Sequence, residues 1–396
     1  MARILVLCPY VPHPPTHGGS IRSRVLLQAL ATNHEVHLAA AVADAADRVL
    51  LAGCAAELGL RTHELAAVAA PTVSLSTKLR HWLPALRSEL LRRRWRTDAL
   101  RHAAGLQATA PDLVVLDSSF ALPLWQASRR ARSLLHLHNL EHRLFARPTP
   151  GHRPWKERLT RAVETVAIRR TERDGVRRAT MTLTVSDEDR RIALQLAPEA
   201  RVEVVPNSID LARLPLQPGR QAAPPRLLFV GTFDYPPNQE AVTELVTQHL
   251  PVLRQRWPGL RLRLVGRDPN GWLGRLVELA YIEAVGPVAD LLPHYAASDA
   301  VYLPIRSGGG TRIKILEAFA LGLPVLSTAV GIEGLAANDG EHFRAFETPE
   351  QGAAALAEVL AGQGALLRTA ARELVVAHYS HDAAMRRMRE LIDPLL

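Results

Sequence analysis

Residues Ser307 to Leu326 read S-G-G-G-T-R-I-K-I-L-E-A-F-A-L-G-L-P-V-L. The stretch passes from a glycine loop into a helix and then, through Gly322-Leu323-Pro324, into a strand. Three consecutive glycines, Gly308, Gly309 and Gly310, let the backbone take positive φ and lie close to a ligand. A helix starting near Thr311 points its free N–H groups and the positive end of its dipole into that loop, where an anion would sit. Arg312 and Lys314 add formal positive charge. Gly310, Lys314 and Glu317 fall at i, i+4 and i+7 and share one helix face. Ile313, Leu316 and Ala320 fall on another face, with Ile315 and Phe319 beside it, and are expected to pack inward. An anion site with one carboxylate further along the same face suits a sugar nucleotide, with the diphosphate at the helix tip and the ribose hydroxyls on Glu317. A glycine turn before a helix is also common in α/β proteins that bind no phosphate, so the rest of the chain has to decide.

Upstream, the same alternation of strand and helix runs through the whole chain. Arg3 to Cys8 is an apolar run that reads as a buried strand, followed by the loop P-H-P-P-T-H-G-G-S and a helix from about Ser20. Further strands are expected at Glu35–Val42, Asp112–Leu116, Ser133–Leu137, Thr180–Val185 and Glu203–Val205. Helices are expected over residues 45–60 and 155–179, with one or two long basic helices over 78–108. Residues 211–225 are proline-rich and without periodicity, and read as a linker. Strands then resume at Arg226–Val230, Arg261–Val265, Ala300–Leu303 and Pro324–Ser327. A helix from about Asn238 and helices near 350–361, 364–377 and 381–392 complete the second half. Two successive βα alternations of similar size predict two Rossmann-like domains facing a cleft.

Composition bounds the reading. A chain of 396 residues exceeds one ordinary core. No apolar run approaches the ~20 residues that span a bilayer. The opening M-A-R-I-L-V-L-C-P-Y is too short for a signal-peptide core and has no small-residue cleavage site. Two cysteines, Cys8 and Cys54, make no disulfide framework, which favours a reducing cytoplasm. An Arg- and Ala-rich, Lys-poor composition is of the kind that GC-rich bacterial genomes encode. The positive charge is uneven: residues 1–200 hold 29 Lys and Arg against 18 Asp and Glu, and residues 201–396 hold 19 against 21. The densest basic cluster is Arg92, Arg93, Arg94 and Arg96, beside Trp82 and Trp95. Such a surface suits an anionic membrane leaflet; the alternative is a solvated helix face in an Arg-rich protein. Nucleic acid is disfavoured, because the arginines are not interleaved with aromatics as a stacking platform needs. The first strand is not followed by G-x-G-x-x-G, which argues against a dinucleotide-dependent oxidoreductase. No metal-ligand pattern is read from the sequence, and no cofactor beyond a nucleotide-sugar substrate is expected.

With V205-P-N-S-I-D210, F229-V-G-T-F233 and the segment Val285 to Gly334 added to the opening stretch, the chain resembles the retaining GT-B glycosyltransferases of family 4, most of all bacterial exopolysaccharide sugar transferases with a G-G-G-T-R-x-K-x-L-E-A segment. The resemblance implies a cytoplasmic enzyme, also peripheral at the inner face of the membrane, that moves a sugar from a nucleoside-diphosphate donor to a glycan or lipid-linked acceptor. It implies domains at 1–210, joined by a C-terminal helix crossing back over 378–396, and at 226–377, with 211–225 between them. Glu317 matches the second glutamate of the family's E-x7-E motif, which holds the donor ribose; the first falls at Gly309. Gly309, Gly310 and Thr311 then cradle the diphosphate by backbone. The Gly231 loop, T-F-D-Y-P-P-N, lacks the family's basic pair, so charge neutralisation falls to Arg312 and Lys314, with Arg306 beside them. Val285 and Val288 match the segment framing the base. Gly18, Gly19 and Arg22 match the glycine loop near phosphate and acceptor, and His138 matches the histidine that contacts the donor sugar. Two rivals stay open: a nucleotide-sugar epimerase on the same fold, and a non-catalytic relative, for which the missing first glutamate speaks.

Overall fold

The computed structural model describes residues 1–15, 18–67, 88–126, 131–146, 155–220, 223–268, 270–275, 279–307 and 313–396. It divides into two compact units, Met1–Asn207 with Ala384–Leu396, and Ser208–Ala383.

The first unit is built on a seven-stranded sheet: β1 (Arg3–Cys8), β2 (Glu35–Val42), β3 (Arg61–Ala66), β4 (Leu113–Asp117), β5 (Arg132–His136), β6 (Met181–Thr184) and β7 (Val202–Val204). The order is β3-β2-β1-β4-β5-β6-β7, and every pairing is parallel. Central strands such as R-I-L-V-L-C and L-V-V-L-D are apolar almost throughout because helices cover both faces of a parallel sheet. Strand β3, R-T-H-E-L-A, is polar over its first four residues at the sheet edge and escaped the sequence reading. The first helix starts at Gly18, two residues ahead of expectation, and runs to Ala31. The basic stretch expected to be helical over 78–108 contains two described helices, Glu89–Arg93 and Thr97–Ala108; its residues before Ser88, Trp82 among them, lie outside the described residues. The helix Ala45–Leu58 is closed by its end residues: the Asp44 side chain accepts from the Asp47 N–H, and Gly59 takes φ 66° at the C-terminus.

The second unit carries a six-stranded sheet: β8 (Arg226–Val230), β9 (Arg261–Val265), β10 (Ile282–Gly286), β11 (Ala300–Leu303), β12 (Val325–Ser327) and β13 (Arg344–Ala345). The order is β10-β9-β8-β11-β12-β13, again all parallel. In both sheets the first strand of the unit is central and the order reverses beside it, at β1/β4 and at β8/β11. Crevices for ligands form outside the carboxyl ends of such strands. Residues 211–220 and 223–225 belong to the second unit: Gln217 N–H donates to Leu321 O at 2.9 Å, and Arg372 donates to Leu214 O at 2.7 Å. Proline removes the N–H groups a regular element would need, and arginine side chains satisfy the carbonyls instead. The closing helix His381–Ile392 passes into the first unit at Ala384, where Ala384, Met388, Leu391, Ile392 and Leu395 are buried in one cluster with Ile4, Val6 and Leu26.

Candidate functional site

In the first unit the carboxyl ends of β1, β4 and β5 converge on one carboxylate. Asp117, the last residue of β4, is 1% exposed. Its Oδ1 lies 2.8 Å from His136 Nδ1 and 2.7 Å from His138 Nε2; its Oδ2 accepts from Ser23 Oγ at 2.5 Å and Cys8 Sγ at 3.1 Å. Burial alone would raise the Asp117 carboxyl, but the imidazoles of His138 and His136 overcome it and hold it well below the usual carboxylate range. With Asp117 ionised, both imidazoles donate to it, and the Tyr10 hydroxyl lies 3.2 Å from His138 Nδ1. Tyr10 is also 2.8 Å from Ser23 Oγ, so the four side chains close a ring. A sugar hydroxyl reaching His138 Nδ1 would have to take the place of Tyr10. His136, fully buried, is pushed down to about 3, first by burial and then by Arg22.

Asp117, His136 and His138 also form the one group among the described residues whose ligand atoms lie close enough to hold a metal ion. His136 Nε2 has no partner among the described residues, although a metal-bound imidazole ordinarily donates its second N–H. The hydrogen-bonded network accounts better for this cluster. The next residue, Ser118, takes φ 86° and ψ 166°, a region that L-residues avoid, and holds it through its N–H to His136 O at 2.8 Å. Sequence reasoning passed over Asp117 and Ser118; the available signal was an aspartate at the carboxyl end of a buried strand.

Arg22 does not point into an open loop. It is 4% exposed, and its guanidinium donates to Val205 O at 2.7 Å and to Thr184 O and Asn207 Oδ1 at 3.4 Å, while burial lowers it to about 10. Gly18 and Gly19 form the first turn of the helix, and Gly19 O accepts from Ser23 Oγ at 3.0 Å. Past His138, the helix Glu141–Ala146 is anchored by Glu172, which is 0% exposed and accepts from Ser119 Oγ and Glu141 N–H at 2.7 Å and lies 2.5 Å from His142 Nδ1. Glu141, half-buried, is pushed up to about 7 by burial and by the charge of Glu172.

In the second unit the ends of β8, β9 and β10 meet through glycines. Gly266 has φ 144°, and a Cβ there would lie 1.7 Å from Gly231 O. Gly231 leaves room in turn for Asn238 and Lys314, whose Nδ2 and Nζ would stand 2.8 and 3.2 Å from a Cβ. Lys314 Nζ donates to Asn238 Oδ1 at 2.9 Å and sits 4.6 Å above the Phe229 ring. One turn on, Glu317 accepts the Tyr295 hydroxyl at 3.0 Å. Burial raises the Glu317 carboxyl, with Tyr295 and Lys314 opposing. Lys314 and Glu317 belong to the helix Ile313–Leu321, Asn238 to the helix Pro236–Glu244 after β8, and Tyr295 to the helix Leu292–Ala296 before β11, about the strand-order reversal. Val285 and Val288 are half-buried against the same core. Arg306, expected beside the anion, is held by Glu244 at 2.9 Å and by Glu347. Gly309, Gly310, Thr311 and Arg312 lie outside the described residues. Asn238 and Tyr295, which hold Lys314 and Glu317, were not anticipated.

Residues 17–213 match the family model described as Glycosyltransferase Family 4, and residues 224–362 match that described as Glycosyl transferases group 1. The D-inositol 3-phosphate glycosyltransferase of Kineococcus radiotolerans is 32% identical over 186 residues, a match spanning 40% of this chain and 42% of that relative. Among solved structures, sucrose-phosphate synthase from Thermosynechococcus elongatus is similar at TM-score 0.68 and 18% identity over 99% of both chains. Anabaena HepE in complex with UDP and glucose is similar at TM-score 0.64 and 16% identity, over 99% of this chain and 100% of that one. At these identities the structural likeness establishes the fold, two parallel-sheet, Rossmann-like domains of GT-B type.

Proposed function

We propose that this chain, a glycosyltransferase with a family 4 domain followed by a group 1 domain, moves a sugar from a nucleoside-diphosphate donor to a glycan or lipid-linked acceptor in polysaccharide biosynthesis, with retention at the anomeric carbon. The observation that carries the reading is the group at the β8/β11 reversal: Lys314 fixed by Asn238 beside the Gly231–Gly266 contact, and Glu317 fixed by Tyr295 one turn further along. In this reading the glycines let the diphosphate approach the backbone. The Lys314 ammonium, with Arg312, stabilises the charge of the departing diphosphate, and Glu317 holds the ribose. Catalysis is then positioning plus electrostatic stabilisation of the leaving group. Solved relatives of this fold hold UDP and UDP-glucose, which supports a uridine-type donor as the first to try.

In the first unit, the His138 loop and the glycines at 18 and 19 face the acceptor and the donor sugar in this proposal, with Asp117 holding His138 in one tautomer. No metal takes part, so transfer is expected to persist in EDTA; loss of activity on chelation and its return with a divalent ion would contradict that part. In this proposal the enzyme works at an anionic leaflet, a reading that the basic surplus of the first half supports. The reaction is tested by incubating the purified protein with UDP-sugars and a membrane extract and following the anomeric proton of the product by NMR. A new α-linked product from an α-linked donor supports retaining transfer. Free sugar isomers without acceptor modification would point to an epimerase, and no turnover of any donor would point to a binding protein.

A further inference from the structure

The helical layer on one face of the first sheet holds a cavity of about 400 Å³ that belongs to neither cluster described above. Leu100, Leu122, Pro123 and Trp125 give it an apolar wall. Gly175 brings the helix Trp155–Arg178 close on the other side, since a Cβ there would lie 2.6 Å from Leu122 Cδ2. The polar side is strongly cationic: Arg92, Arg170 and Arg178 stand against a single acid, Asp174. Asp174 is engaged by Arg173 at 3.3 Å. Arg178 lies 5.1 Å over the Trp125 ring, so one guanidinium rests on the apolar wall itself. Arg92 and Arg170 have no carboxylate partner among the described residues.

Arg92, Arg170 and Arg178 are exposed at the edge of this volume. An anion in this volume meets three guanidiniums, and the planar fork binds phosphate oxygens two at a time. A free inorganic anion would leave the Leu, Pro and Trp wall unused, and a neutral apolar molecule would leave the arginines unused. The size is that of small-molecule pockets, which combine apolar walls with a few placed polar groups. We propose that this cavity binds an amphiphilic anion, a phosphate or diphosphate ester carrying an apolar chain, with the phosphate on Arg92, Arg170 and Arg178 and the chain along Leu100, Leu122 and Trp125. Leu122 and Pro123 of the wall belong to the short helix Ser119–Leu124 that directly follows Asp117 and Ser118, and Ser119 is tied to Glu172, which also anchors the helix after His138. The occupant therefore rests on the segments that position the His138 loop. Binding here is independent of the transfer reaction, so its failure leaves the donor site untouched.

The test is calorimetric titration of the whole protein with dodecyl phosphate below its micelle concentration, with dodecyl maltoside and inorganic phosphate run in parallel. One saturable site for dodecyl phosphate is expected, at least tenfold tighter than either control. The double variant Arg92→Gln/Arg170→Gln is expected to bind at least tenfold more weakly, with melting temperature and sugar-nucleotide affinity unchanged; Trp125→Phe tests the wall and is expected to weaken the alkyl ester alone. Inorganic phosphate binding as tightly as the ester, the maltoside binding as tightly, or a double variant that binds normally would each overturn the proposal.

Discussion

At the scale of single residues, Asp117 bears the most. Five side chains depend on it directly or through one intermediate: Cys8, Tyr10, Ser23, His136 and His138. Asp117→Asn keeps the shape but removes the charge that fixes both imidazoles, and the loss of charge-assisted, buried hydrogen bonds is expected to cost about 2–4 kcal/mol. Thermal melting measures this, and an unchanged melting temperature would show that the ring is not holding the strand ends. The same cluster sets an acid limit. His136, at about 3 in the fold against 6.5 unfolded, stays neutral in the native protein, so the unfolded chain binds the extra proton. Its contribution is lost as pH falls from about 6.5 toward 3, and the depressed Asp117 carboxyl acts in the same sense. Glu141 works the other way. Held at about 7 against 4.5, it binds a proton in the fold that the unfolded chain releases, so it destabilises increasingly as pH rises from about 4.5 through 7. Glu141→Gln should therefore gain melting temperature over the parent at pH 8 and little at pH 5; an equal gain at both would contradict the assignment. None of this was legible in the sequence. Asp117 is a lone aspartate at the end of D-L-V-V-L-D, and its partners sit 19 to 109 positions away. Arg22 misled for the same reason: an arginine at a helix start after two glycines looks aimed at an anion, and its contacts with carbonyls more than 160 positions away emerge only on folding.

At the scale of elements, the strand ends decide where chemistry is possible. Strands Arg3–Cys8, Glu35–Val42, Arg226–Val230, Arg261–Val265 and Ala300–Leu303 were read with the bounds they have; in Arg3–Cys8, Arg226–Val230 and Ala300–Leu303 the trace is the apolar run of a parallel strand covered on both faces. Three edge strands were missed, β3, β10 and β13, of which β3 is polar over four of its six residues and β13 has only two; the fourth edge strand, β7, was placed one residue late. The glycine contacts at the ends of β8 and β9 are likewise invisible in one dimension. Gly266→Ala forces a Cβ against Gly231 O at a φ that alanine avoids, and is expected to cost on the order of 2–3 kcal/mol or more. The damage should fall on the second unit: hydrogen exchange should rise in β8 and β9 and stay unchanged in β1 and β4. Uniform loosening of both units would contradict that localisation. By contrast, the helix carrying Lys314 and Glu317 could be placed from sequence, since its loop, dipole and charged face lie within one short stretch.

For the whole molecule, the sequence disclosed two alternating halves, and the structure places the change of unit after Asn207 and the return at Ala384. The returning segment gives the first unit five buried apolar side chains. Deleting residues 384–396 strips them away, at roughly 1.5–3 kcal/mol for each large one, and should lower the melting of the first unit while the second keeps its own. The uneven charge is also a property of the whole chain: anionic vesicles should retain the protein at low salt and release it at high salt, as screening shortens the reach of the basic half. Retention at no salt concentration would remove the membrane from the account. The central claim is that Lys314 and Glu317, fixed by Asn238 and Tyr295, form the donor site of a glycosyltransferase. The most direct measurement is the affinity of the intact protein and of Lys314→Met and Glu317→Ala for a panel of nucleoside-diphosphate sugars. The account predicts tight binding of at least one donor and at least a tenfold loss in each variant with melting unchanged; a donor bound equally well by the parent and both variants would contradict it.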